Sequence, residues 1–217
     1  MIQNTFYNKD YVSKKDFPSL LNDIDCDIVI VGAGLAGLAL SYELSCHGVK
    51  VVVIDANRIG TGASGINGGF CSSGWSAHLS RLYKKYGYEV TNILEKLSLE
   101  GLNWVQSFEN HIGFERIDLK SGILNLSLLK SEKVGRELFE KKVQRNNTDE
   151  FVPKNELKNY VVSDIYNYGV LSPEGFHFNP LEFLNGLKVQ VHERSVQIFE
   201  NTKMVGFYEY QAGCHVQ

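Results

Sequence analysis

The first seventy residues change their hydrophobic period twice. Residues 27–31 read Asp-Ile-Val-Ile-Val, an apolar run without alternation, which predicts a strand buried on both faces of a parallel sheet. Glycines follow at once, at Gly32, Gly34 and Gly37. Residues 35–47 then carry Leu35, Leu38, Tyr42 and Leu44 or Ser45 at helical spacing. Gly48 sits where a glycine ends a helix in the left-handed conformation. Residues 49–54 form a second apolar run, closed by Asp55. The pattern predicts a strand–helix–strand unit of about thirty residues.

Farther along, 77–86 and 89–110 have helical patterning. Residues 115–119 and 122–128 read as strands joined by a turn at Lys120-Ser121-Gly122. Residues 131–145 predict a charged helix whose Glu and Lys positions form a solvated face. Strands are predicted at 164–171, 196–200 and 204–210, and a helix at 180–193. No internal repeat and no low-complexity linker stand out. The expected organisation is an N-terminal arm over 1–25, a cofactor domain begun over 26–80, part of a second domain over 81–178, and a return to the first domain over 179–217.

Composition narrows the function classes. The 217 residues are 43% hydrophobic and 22% charged, ordinary values for a soluble globular protein. The net charge of −3 gives no basic footprint for nucleic acid. Cys26, Cys46, Cys71 and Cys214 form no C-x-x-C pair, so free thiols in a reducing compartment are expected rather than a zinc site or a redox dithiol. The N-terminus lacks the basic and apolar regions of a signal peptide. The most apolar window, 28–44, is short for a membrane span and broken by three glycines. A cytoplasmic protein without a membrane span is the expectation. The six histidines make no metal-binding spacing.

Gly32, Gly34 and Gly37 satisfy G-x-G-x-x-G between a predicted strand and a predicted helix, the context that gives this spacing its meaning. The first glycine permits the tight turn, the second lets the backbone approach a pyrophosphate, and the third lets helix and strand pack closely. The helix start offers free N–H groups to the phosphates. Asp55 stands where a carboxylate would accept hydrogen bonds from an adenosine ribose.

A second small-residue stretch, GTGASGINGGF, occupies 60–70. A nicotinamide dinucleotide gives it no task. FAD does, since its flavin end needs a second grip, with Ser64 and Asn67 as short polar contacts. The stretch is not a nucleophile elbow, because Ile66 stands where G-x-S-x-G requires glycine.

The stretches DIVIVGAGLAG (27–37) and DANRIGTGASGINGGF (55–70) together resemble the FAD-dependent oxidoreductases of the D-amino-acid-oxidase type, most of all the γ-glutamylputrescine oxidoreductase branch. Thr5-Phe6-Tyr7, Phe17-Pro18-Ser19-Leu20 and the segment 168–187 are similar to that branch as well. The resemblance implies an α/β fold: a Rossmann-like FAD-binding domain, its parallel sheet carrying helices on both faces, with part of an α+β substrate domain of antiparallel strands. It implies FAD as cofactor and Gly32, Ala33, Gly34, Leu35, Ala36, Gly37, Asp55, Ala56, Arg58, Ala63, Ser64, Asn67, Gly68, Gly69, Phe70 and Met204 as its contacts. Met204 enters as a backbone contact to adenine from the last predicted strand. The implied reaction oxidises a C–N bond of a small amine or amino acid by hydride transfer to flavin N5, with oxygen or another acceptor taking the electrons afterwards.

Two positions depart from the branch. Ile66 replaces its usual arginine, and Asp55 its more common glutamate. The chain is also roughly half the family's usual length, so an N-terminal fragment is expected, and no catalytic residue is assigned. Cys71, Trp75 and His177 are read as packing residues, Trp75 as core. An NAD-dependent dehydrogenase, which leaves 60–70 without a role, and a non-catalytic nucleotide-binding module are the competing readings. A flavin-dependent tRNA-modifying enzyme fits the charge poorly.

Overall fold

The computed structural model describes residues 6–8, 15–77, 79–112, 118–143, 148–210 and 213–217. After a short 3-10 turn at Phe6–Asn8, the elements in chain order are β1 (Ile28–Val31), α1 (Leu35–Cys46), β2 (Val51–Ile54), α2 (Ala63–Ile66), β3 (Phe70–Cys71) and α3 (Leu79–Ile112). There follow β4 (Lys120–Ser127), α4 (Glu132–Val143), β5 (Glu150–Pro153), α5 (Lys154–Leu157), β6 (Tyr168–His177), α6 (Pro180–Glu193), β7 (Gln197–Phe199), β8 (Phe207–Tyr210) and β9 (Gly213–Val216). They fall into two compact units. One is built mainly from residues up to Gly69 and from Asn179 onward, the other from 70–108 and 118–178.

The first unit holds a parallel sheet in the order β1-β2-β7. Ile28 faces Val51 and Val31 faces Ile54; Val52 faces Gln197 and Ile54 faces Phe199. Burial on both faces holds for β2, whose four residues are all buried, and not for β1, where Val31 is 54% exposed. The difference follows from position: β2 is the middle strand, and β1 pairs only with β2 among the described residues. Helix α1 buries Leu38, Ser41 and Tyr42, and Gly48 ends the turn after it at φ 74°.

Helix α6 is the buried column of this unit. Residues Pro180–Lys188 lie inside without interruption. Its start matches its sequence signature. The Asn179 side chain accepts from the N–H groups of Leu181 and Glu182, both at 3.1 Å, and Pro180 takes the first turn, where no N–H is needed. Leu187 and Val191 on α6 are fully buried, as are Leu38 on α1 and Val53 on β2. After β7 the chain forms the hairpin β8–β9, with Phe207 opposite Val216 and Tyr210 opposite Gly213.

The second unit is an antiparallel sheet in the order β3-β6-β4, with β5 beside the first half of β6. The expected turn at Lys120-Ser121-Gly122 is a bulge inside β4. The register shifts between Ser121, opposite Phe176, and Ile123, opposite Ser172, with Gly122 at φ 87°. Pro173 lies in the skipped stretch of β6 and has no amide to give the ladder, which favours a bulge there. The two helices expected over 77–86 and 89–110 are the arms of α3, kinked at Gly87 (φ 78°). The strand expected at 164–171 starts at Tyr168 and runs on to His177, and β5 and α5 were not anticipated. Residues 1–5, 9–14, 78, 115–117 and 144–145, which several expected elements include, lie outside the described residues.

Leu187 tests the column. It has no exposure, so Leu187→Ala is expected to cost about 2–5 kcal/mol. Denaturant unfolding checks this; a loss below about 1 kcal/mol would mean α6 is not a packing centre.

Candidate functional site

The turn between β1 and α1 is fixed by contacts that exclude side chains. A Cβ on Gly37 would lie 1.9 Å from the Gly32 carbonyl oxygen, and one on Gly34 would lie 2.8 Å from Ser64 Oγ. Gly32 stands at φ 104°, a conformation costly for any residue with a Cβ. Gly34 caps α1 in extended conformation, without a side-chain cap. The amides of this turn divide in two. The Gly32 N–H donates to Ile54 O (2.8 Å), the Ala33 N–H to Asp55 Oδ2 (2.8 Å) and the Leu35 N–H to Ser64 Oγ (3.0 Å). Those of Gly34, Ala36 and Gly37 have no acceptor among the described residues. A helix start with such open donors and a positive dipole end suits an anion.

The second turn repeats the first. Gly60, Gly62 and Gly65 also satisfy G-x-G-x-x-G. Gly60 is at φ 91°, and a Cβ on Gly65 would lie 2.1 Å from the Gly60 carbonyl oxygen. Gly62 caps α2 at φ −93°, ψ −171°, close to Gly34 at φ −77°, ψ −175°. This is the internal repeat that sequence reading missed. Its signal was the glycine spacing alone, without the long apolar run that flags the first turn. The two turns are joined by Ser64, which lies in α2 and bonds the start of α1.

Asn67 shapes the exit from the second turn. Its Nδ2 donates to the carbonyls of Ala63 (3.2 Å) and Ser64 (2.9 Å), and its Oδ1 accepts from the Gly69 N–H (2.8 Å). The Tyr7 hydroxyl donates to the Gly68 carbonyl at 3.1 Å. Asp55 uses Oδ2 on Ala33 and Oδ1 on the Asn57 N–H (2.8 Å). The carboxylate is thus held at the first turn by two amides, with lone pairs remaining. Ala56 and Ala63 are exposed, and Arg58 pairs with Asp16.

Two further expected contacts, Phe70 and Met204, belong to other parts of the chain. Phe70 belongs to the second unit, where it is 70% exposed and meets His177 edge to face with centroids 5.1 Å apart. Met204 is not on a strand, because the last strands begin at Phe207. Trp75 is not core either. It is 49% exposed, with Nε1 donating to the Leu94 carbonyl at 2.9 Å. Cys71 is half-buried, and burial pushes its thiol pKa up, which makes it a poor nucleophile. All four cysteines are free thiols, and no group of metal-ligating side chains occurs among the described residues.

Sequence reasoning also missed two buried ionisable residues, Glu200 and Lys188. Glu200, 2% exposed, accepts from the Phe17 N–H (3.1 Å) and the Ile59 N–H (2.8 Å). Lys188, on α6, is 1% exposed. Burial lowers its pKa, against the opposing pull of the Glu200 and Asp16 charges.

Comparison with known proteins identifies the family. The family described as FAD dependent oxidoreductase matches residues 27–216. The probable oxidoreductase OrdL of Haemophilus influenzae is 30% identical over 201 residues, covering 91% of this chain and 46% of that protein. The γ-glutamylputrescine oxidoreductase of Escherichia coli is 28% identical over 186 residues, covering 85% and 43%. Among solved structures, glycine oxidase from Geobacillus kaustophilus superposes with a TM-score of 0.71 at 16% identity, covering 88% of this chain and 50% of that one. The chain spans about half the length of the curated relatives it matches. The chain belongs to the FAD-dependent oxidoreductase family of the D-amino-acid-oxidase type.

The repeated turn makes a contrast between neighbouring glycines. Gly65→Ala drives a Cβ into backbone and is expected to cost about 1–3 kcal/mol. Gly62→Ala, at an ordinary φ with nothing within 4 Å, should stay within about 0.5 kcal/mol. Thermal unfolding of both variants checks this, and equal losses would refute the close approach.

Proposed function

We propose that the chain binds FAD through its two glycine turns and serves an oxidoreductase acting on the C–N bond of a small amine or amino acid. One observation carries the reading: two turns of the same construction are tied by the Ser64–Leu35 hydrogen bond, where a nicotinamide dinucleotide would need only the first. The residues present fit the cofactor. The amides of Gly34, Ala36 and Gly37 face no competing acceptor among the described residues, at a helix start whose dipole favours a phosphate.

The chain's residues have distinct tasks in this reading. Within Gly32–Gly37, the open N–H groups of Gly34, Ala36 and Gly37 hold the pyrophosphate together with the dipole of α1. Asp55, held by two amides, accepts from the adenosine ribose with its remaining lone pairs, and its charge disfavours a 2′-phosphate. Ser64 keeps the second turn against the first. Asn67, Gly68 and Gly69 present the loop that follows, and Ala56, Arg58 and Ala63 line the approach to it. FAD, when bound, supplies the hydride acceptor at flavin N5 for oxidation of the substrate carbon next to nitrogen. Oxygen or another acceptor then takes the electrons.

The substrate class is supported by the named activities of the relatives, γ-glutamylputrescine oxidoreductase and glycine oxidase. The free thiols support a reducing compartment, and we place the protein in the cytoplasm. No helix among the described residues is long and apolar enough to cross a membrane.

The purified protein, supplied with FAD and desalted, is expected to keep a flavin absorbance spectrum. Anaerobic addition of a substrate amine should bleach it. A protein that retains no flavin contradicts the reading. Asp55→Ala is expected to weaken FAD binding about tenfold, the size of one charge-assisted hydrogen bond; calorimetric titration reads the change, and an unaltered affinity removes Asp55 from the site.

A further inference from the structure

Glu200 is not explained by packing. A carboxylate taken wholly out of water is costly unless it is bonded and paired. Here it is bonded twice, to two segments far apart in sequence. The Phe17 N–H lies 183 residues away and the Ile59 N–H 141 residues away. Ile59 immediately precedes Gly60, the glycine that opens the second turn.

The surroundings of Glu200 join the same segments. Its own N–H donates to the Pro18 carbonyl at 3.1 Å. On either side of it, the Asp55 N–H donates to Phe199 O (2.9 Å) and the Thr202 N–H to Asp55 O (2.8 Å). The Leu20 N–H donates to Thr202 Oγ1 at 2.9 Å. Phe17 is 7% exposed and meets His192 edge to face, with centroids 5.3 Å apart. Asp16 pairs with Arg58, one residue before Ile59. The stretch 16–20 is therefore bonded along the end of β7, and it reaches the entrance of the second turn through one buried carboxylate.

We propose that Glu200 is a positioning residue for the second glycine turn: it fixes Ile59 against the N-terminal arm, so that the arm acts as a strap on the cofactor loop. This rests on the FAD reading above. The strap sets the place of Gly60–Gly65 and leaves the first turn to its own contacts with Asp55 and Ile54. A ligand that reaches both turns should sense Glu200, and a ligand confined to the first should not.

The test titrates FAD and ADP by calorimetry against the wild-type protein, Glu200→Gln and a variant that begins at Ser19, which removes the Phe17 N–H and the Pro18 carbonyl. Hydrogen exchange is followed at the amides of Ile59 and Ala33 without ligand. The expected result is FAD affinity lowered at least fivefold in both variants, with ADP affinity changed less than twofold. Exchange at Ile59 should rise at least tenfold while Ala33 is unchanged. If Glu200→Gln fails to fold, the shortened variant carries the same expectations. An equal fall for FAD and ADP, or unchanged exchange at Ile59, would overturn the proposal. If the wild-type protein takes up no FAD, the functional reading fails by itself, and the Ile59 exchange still decides for or against the positioning role.

Discussion

Everything around the first glycine turn of this protein depends on one close approach, the Cα of Gly37 against the carbonyl oxygen of Gly32. A Cβ there would stand 1.9 Å from that oxygen, so helix α1 can start only where it does. The start leaves the amides of Gly34, Ala36 and Gly37 without an acceptor among the described residues, a geometry that suits an anion. The same approach recurs between Gly65 and Gly60. A short chain thus builds two such turns from two copies of one steric solution.

The copies are not independent. Ser64, in the second, accepts the Leu35 N–H of the first and lies where any side chain on Gly34 would go. One hydroxyl therefore removes a donor from the first turn and fixes the distance to the second. Asp55 and Glu200 do comparable work farther back. Each is a carboxylate spanning two backbone amides, Asp55 behind the first turn and Glu200 behind the second. The site is a backbone surface held in shape by three side chains, which suits a cofactor that brings its own chemistry.

What the sequence disclosed follows from the range of the forces involved. The β1–α1–β2 unit was legible because its strand runs, helical spacing and glycines are local signals. Helix α6 was expected at 180–193 and is found over those bounds, and the structure shows Asn179 and Pro180 setting its start. Strand β1 was read as doubly buried because an apolar run does not say which neighbours a strand has. The bulge at Gly122 looked like a turn because both call for a glycine at positive φ. Met204 was placed on a strand because β-forming residues follow it, yet pairing starts only at Phe207. Glu200 and Lys188 left no trace in the sequence, because their burial depends on partners more than a hundred residues away or on another element.

The central claim is that both turns hold one ligand. Hydrogen exchange of the backbone amides with and without saturating FAD tests it most directly. The account predicts slowed exchange at Gly34, Ala36 and Gly37 and, in the same experiment, across 60–69. Protection confined to the first turn would contradict it and leave the second turn as structure alone.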